Sequence, residues 1–186
     1  MPDQVRHDDF ADVHLRIRKA SDMIAAALAL AAQLANPGFE RGLEGWESSG
    51  HRGIGVSIGS NRGYTIRQSA EGEHYLNVGW QARNAAPPDA ERRVFTRIDA
   101  RHYRGRTIRV SAQTKAPDFA HRNARLAISA DGAEAVTRID ASAAWRRHSV
   151  DLRVPRDARE IEIAFIVEGT RAELAIDDVR LELVRR

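Results

Sequence analysis

Cysteine is absent from the 186 residues. That excludes a disulfide scaffold, a zinc ribbon, a thiol nucleophile and a cysteine-ligated cluster. It does not fix the compartment, because an exported protein of this size can do without disulfides. Lysine is nearly absent too: Lys19 and Lys115 apart, all 29 basic residues are arginine. The net charge of +3 is a weak field for a chain this long. The arginines are scattered, in nothing denser than pairs such as Arg92-Arg93 and Arg146-Arg147. A nucleic-acid partner calls for a basic stripe or a recognisable module, and neither is present, so no nucleic-acid partner is expected. Scattered arginines read instead as solvated strand faces. Aromatic residues make up 6% of the chain, which is lean for a protein that recognises ligands with rings.

What is present is ordinary for a globular chain. Apolar residues are 42% and charged residues 30%, which argues against wholesale disorder. A mass of 20.7 kDa accommodates one domain with a tail, or one large β-domain. The chain divides near residue 35. Residues 1–35 contain no glycine and no β-rich run, whereas 36–186 hold all 13 glycines. Residues 23–35, MIAAALALAAQLA, follow the basic LRIRKASD. A basic stretch, a short apolar run and small residues are the layout of a signal segment, with Ala29-Leu30-Ala31 suited to cleavage. The run is too short for an unassisted membrane span. The alternative is a retained Ala-rich helix capped by Ser21 or Asp22 and ending before Pro37. The first reading puts the protein outside the cytoplasm, secreted, periplasmic or in the envelope, with membrane contact only if the segment stays as an anchor. The second keeps the protein cytoplasmic.

From residue 36 the apolar period is two. Ile108, Val110 and Ala112 share a face, as do Val150, Leu152 and Val154, then Ile161, Ile163, Phe165 and Val167, then Val179, Leu181 and Leu183. Further strands are predicted at Ile54–Ile58, Tyr64–Arg67, His74–Gly79, Arg93–Ile98, Arg125–Ser129 and Glu134–Ile139. Turn residues separate them, and Asp131-Gly132 is the clearest hairpin signal. About ten short strands with no helix-length pattern between them predict an all-β sandwich or barrel.

Motifs for catalysis are thin. Gly55-Val56-Ser57-Ile58-Gly59 matches the nucleophile elbow G-x-S-x-G, but a turn and another strand follow where the elbow needs a helix. The seven histidines are dispersed, with no H-E-x-x-H or H-x-H spacing. No pair of acids is assignable to general acid and base work. The sequence therefore predicts a non-enzyme.

The informative stretch is Asn36-Pro37-Gly38-Phe39-Glu40-Arg41-Gly42-Leu43-Glu44-Gly45-Trp46. It resembles the opening of carbohydrate-binding modules with a galactose-binding-like jelly-roll fold, the type attached to xylanases and glucanases. Ala175-Ile176-Asp177-Asp178-Val179-Arg180-Leu181 is similar to their last strand. Gly72 to Val78, Tyr103 to Ala112 and Trp145 to Pro155 resemble inner strands, in the right order, so the resemblance covers essentially all of 36–186. It implies a jelly-roll β-sandwich of two antiparallel sheets over 36–186, preceded by a leader or helix over 1–35. It also implies a non-catalytic module whose partner is a polysaccharide or other glycan. The alternative is an exported structural or interaction domain with a protein partner and no sugar binding.

The resemblance further implies a structural calcium, with Glu40, Asp177 and Asp178 as its side-chain ligands. Calcium favours six to eight oxygens, some from turn carbonyls. These acids could equally pair with Arg41 and Arg180. The break in period between Ile176 and Val179 predicts a bulge at Asp177-Asp178. Sugar recognition wants flat aromatic faces flanked by polar groups. Tyr75 has the opposite parity to Leu76 and Val78, so it faces outward if they face the core. Trp80 shares their parity but ends its strand, within reach of a rim. Tyr75 and Trp80 are the expected stacking residues, and Arg97 and Gln113 the expected hydroxyl partners. Trp46 and Trp145 match positions that in this family are more often core or structural.

Overall fold

A computed structural model describes residues 34–50, 54–60, 74–80, 90–116, 124–169 and 173–184. Residues 1–33 of the leader or helix expected over 1–35, and the strand expected at Tyr64–Arg67, lie outside the described residues. The described residues form ten strands: β1 (Glu47–Gly50), β2 (Ile54–Ser60), β3 (His74–Trp80), β4 (Glu91–Asp99), β5 (Thr107–Ala116), β6 (Ala124–Ala130), β7 (Ala133–Arg138), β8 (Ser142–Arg153), β9 (Glu160–Glu168) and β10 (Glu173–Leu183). A single 3₁₀ turn, Ala100–His102, is the helical element among the described residues. The strands form two five-stranded antiparallel sheets, β1-β4-β9-β6-β7 and β2-β3-β10-β5-β8. This is the expected two-sheet β-sandwich, and β1 is the strand that periodicity did not mark. Four exposed residues, ESSG, carry no apolar alternation.

The core follows the parity of the sequence. Val94 and Ile98 of β4, Leu126 and Ile128 of β6, and Ile161, Ile163 and Phe165 of β9 are buried from one sheet. Leu76 and Val78 of β3, Ile108 and Val110 of β5, Val150 and Leu152 of β8, and Leu174 and Ile176 of β10 are buried from the other. Asp131 and Gly132 join β6 to β7 with φ of 38° and 91°, both left-handed. A two-residue hairpin loop matches strand twist in that conformation, which Asp and Gly tolerate. Gly50 ends β1 with φ 108°, and a Cβ there would lie 2.3 Å from the Glu91 carbonyl oxygen, so the close β1–β4 approach needs glycine. Gly55 to Gly59 run inside β2 without a turn, so the G-x-S-x-G match builds no nucleophile elbow.

The stretch before β1 is a packed loop. The Asn36 amide donates to the Gly42 carbonyl at 2.8 Å, and its carbonyl oxygen accepts from the Arg41 N–H at 3.0 Å. Phe39 and Trp46 are buried with ring centroids 5.2 Å apart, and Trp46 lies 6.1 Å from Phe165. The loop meets β10 where the Val179 N–H donates to the Pro37 carbonyl at 3.0 Å.

On the outer face of the first sheet the arginines cover apolar strand residues. Phe95, Ala127, Ala164 and Ile166 point away from the core yet form a buried cluster. Arg97 lies over the Phe95 ring at 4.5 Å and Arg93 at 5.9 Å, both reaching Glu162, while Arg125 bonds Glu168. Arginine stems shield the apolar row while their heads pair with glutamate.

Tyr103 is fully buried, and its hydroxyl has no hydrogen-bond partner among the described residues. Burial pushes its pKa up to about 12. A phenol whose folded pKa exceeds its unfolded value stabilises the fold below the unfolded value, about pH 10, and that contribution is lost as pH rises through 12. Tyr103→Phe removes an unpaired polar atom, so urea unfolding at pH 7 should show unchanged or slightly raised stability, by up to about 1 kcal/mol. The variant should also lose less stability than the parent between pH 9 and 11. A variant markedly weaker at pH 7 would show that the hydroxyl is paired.

Candidate functional site

The outer face of the second sheet collects the polar side chains that its parity turns away from the core. One row crosses it through Tyr75 on β3, Asp177 on β10, Gln113 on β5 and Arg147 on β8. The next row runs through Asn77, Ala175 and Lys115. Beyond Lys115 the register breaks: β8 takes four steps from Arg146 to Ser142 where β5 takes two from Thr114 to Ala116. Trp145 sits in that irregular stretch. The stretch is held by His148, whose Nδ1 lies 2.9 Å from the Thr114 hydroxyl and whose Nε2 accepts from the Asp140 N–H at 3.2 Å. The Ser142 hydroxyl adds bonds to Ala144, at 2.7 Å to its carbonyl and 3.1 Å from its N–H.

Tyr75 and Trp145 meet edge to face, with centroids 5.8 Å apart and planes at 76°. Their strands are three steps apart in the sheet, roughly 14 Å at about 4.8 Å per step. The two half-buried side chains therefore lean toward each other across β10 and β5. The pair crosses this face with polar groups around it. Gln113 is half-buried, and the Asn77 side-chain oxygen is buried without a hydrogen-bond partner among the described residues.

Below the rings, β10 has the bulge expected from its broken period. The register shifts between Asp177 and Arg180, and Asp178 has φ 47°. Its carboxylate is buried and binds two guanidiniums, Arg180 Nε donating at 2.8 Å and Arg147 Nη2 making the second ion pair. Arg147 also donates to the Ser111 hydroxyl at 3.1 Å, and the Asp178 N–H donates to Asp177 Oδ1 at 2.7 Å. At the far end of the face Arg109 grips Asp151 with bonds of 2.7 and 2.8 Å and holds its carboxyl below the usual range.

Of the four residues expected to touch sugar, the structure brings Tyr75 and Gln113 onto this face. Arg97 is on β4 of the other sheet, engaged with Glu162, Glu160 and Glu47, and shares no surface with Tyr75. Trp80 ends β3 opposite Ile54, and its side chain lies outside the described residues. Trp46 is core as expected, but Trp145 lies on the outer face with Tyr75. A parity signal for this existed, since Trp145 stands five residues from Val150 and so on the opposite face of a regular strand.

Glu40, the first of the three acids expected as calcium ligands, meets His74 of β3. It accepts from the His74 N–H at 3.0 Å and sits 2.7 Å from His74 Nδ1. Among the described residues no group of three or more His, Asp or Glu side chains is close enough to hold a metal ion. The Asp178 carboxylate is paired with Arg147 and Arg180.

No family model and no curated protein matches the chain. Solved structures do match it. A family 61 carbohydrate-binding module in complex with β-1,4-galactotriose aligns with TM-score 0.59 and 19% identity, over 82% of this chain and 98% of that one. A family 16 carbohydrate-binding module aligns with TM-score 0.59 and 13% identity, over 80% and 98%. The fold is the jelly roll of carbohydrate-binding modules. The same jelly roll aligns with the enzymatically active domain of tailspike protein 4 from bacteriophage CBA120, at TM-score 0.63 and 15% identity, covering 82% of this chain but 21% of that one.

Proposed function

We propose that this jelly roll is a non-catalytic module that binds a polysaccharide or other glycan on the outer face of the β2-β3-β10-β5-β8 sheet. The observation that carries the reading is the Tyr75–Trp145 pair bridging that face, with Gln113 and Asn77 beside it. A T-shaped pair leaves ring surface for the C–H side of a pyranose, and amides suit its hydroxyls. The fold likeness to modules with sugar-binding names supports the reading, and the unbent G-x-S-x-G strand supports a role without catalysis. Export through residues 1–35 belongs to the same proposal, because polysaccharides are met outside the cytoplasm.

The test is affinity electrophoresis of the full chain against plant, fungal and bacterial polysaccharides, with and without calcium or chelator. Retardation by one glycan class is expected, weakened at least about tenfold in Tyr75→Ala and Trp145→Ala while circular dichroism holds. Absence of binding to every class overturns the proposal and favours the interaction domain with a protein partner. Calcium at Glu40, Asp177 and Asp178 is proposed from the resemblance alone. It requires that chelator lower the melting temperature, and an unchanged value assigns that stabilising role to Arg147 and Arg180.

A further inference from the structure

The charges on the proposed binding face do not cancel around the ring pair. Arg147 and Arg180 are both engaged by Asp178, and Arg109 by Asp151. Asp177 is fully buried and accepts from the Asp178 backbone. Lys115 is different. It projects from β5 on the same face, half-buried, two residues from Gln113. Its ladder partner on β10 is Ala175, whose methyl group offers no counter-charge and leaves room above it. Among the described residues Lys115 has neither an ion pair nor a hydrogen bond. On the other side of Ala175, the Asn77 side-chain oxygen is buried and unpartnered. One ammonium and one amide thus flank a small-residue floor, next to the strand that carries Trp145.

We infer that the glycan taken here is acidic, and that Lys115 selects a uronate carboxylate, with Asn77 and Gln113 serving neighbouring hydroxyls. This rests on the proposed glycan-binding function and adds the substrate class. A lone ammonium is a compact point charge with three donors, matched to one carboxylate. A half-buried position strengthens the attraction over that of a fully solvated pair. A charge-assisted hydrogen bond contributes about 1.5–3 kcal/mol, or roughly a ten- to hundredfold change in affinity.

The experiment compares polygalacturonate with neutral galactan for the full chain, Lys115→Gln, Lys115→Arg and Arg138→Gln. Arg138 is exposed on β7 of the other sheet, so its variant removes the same net charge away from the face. Polygalacturonate is expected to bind more tightly. Lys115→Gln should weaken it at least about tenfold, Lys115→Arg less, and Arg138→Gln less than about twofold. Equal losses in Lys115→Gln and Arg138→Gln would reduce the effect to overall charge and overturn the inference. So would binding of neutral galactan that is as tight and indifferent to Lys115. In both cases the glycan-binding proposal survives; no binding to either polymer overturns this inference, while the glycan-binding proposal falls only if the wider polysaccharide panel also fails.

Discussion

Trp46→Ala is expected to lower the stability of the sandwich by about 3–5 kcal/mol, in the range found for buried aromatic truncations. Trp46 is 5% exposed and lies between Phe39 and Phe165, so its loss opens a cavity where the opening loop seals the two-sheet core. The indole N–H donates to the Ala35 carbonyl at 3.2 Å and the Asn36 carbonyl at 3.4 Å, so the ring also ties down the loop backbone. Trp46→Phe keeps much of the packing and loses that bond, and it should cost about 1–2 kcal/mol. Melting temperatures should fall by roughly 2–4 °C per kcal/mol for a chain of this size. A Trp46→Ala protein that melts within 3 °C of the parent would show that the loop is not part of the cooperative core.

The second large effect is expected at Asp178. Its carboxylate is 7% exposed and joins Arg147 of β8 to Arg180 of β10 across β5. Breaking a buried pair from one side costs about 3–5 kcal/mol, because the remaining charge stays desolvated. Both arginines reach solvent, so Asp178→Ala should fall at the lower end, about 3 kcal/mol. The bulge adds a backbone component: φ 47° suits Asp and Asn better than Ala. Asp178→Asn keeps that conformation and one acceptor oxygen, and it should cost about half as much. Chemical denaturation of the two variants separates charge from backbone. Equal losses would assign the effect to charge alone, and no loss in either would show that the arginine pair adds nothing to stability. On the proposed glycan-binding function, loosening this bulge should also weaken retention by the polysaccharide, since Arg147 lies two residues from Trp145.

Much of the fold was legible in local chemistry. Parity marked nine of the ten strands because each buries one side and wets the other, and β1 was missed because all four of its residues are exposed. Asp131-Gly132 announced its hairpin through the left-handed backbone it tolerates, and the interrupted period at Asp177-Asp178 announced the bulge. The candidate face was legible in part. The outward position of Tyr75 followed from parity, whereas Trp145 was assigned to the core by family position against its own parity. Arg97 was grouped with Gln113 as a hydroxyl partner because a polar strand face reads the same on either sheet.

Alternation along a strand therefore determined which residues point in and which point out, since each side chain's direction follows from its neighbours in the chain. It carried no information on which strands are adjacent. Strand order was decided by tertiary pairing, which put β3 and β8 three steps apart in one sheet and β4 in the other. That order brings Tyr75 to Trp145, gives Asp178 its two arginines and leaves Lys115 opposite an alanine. Each of these is a contact between residues distant in sequence, set by packing two sheets face to face.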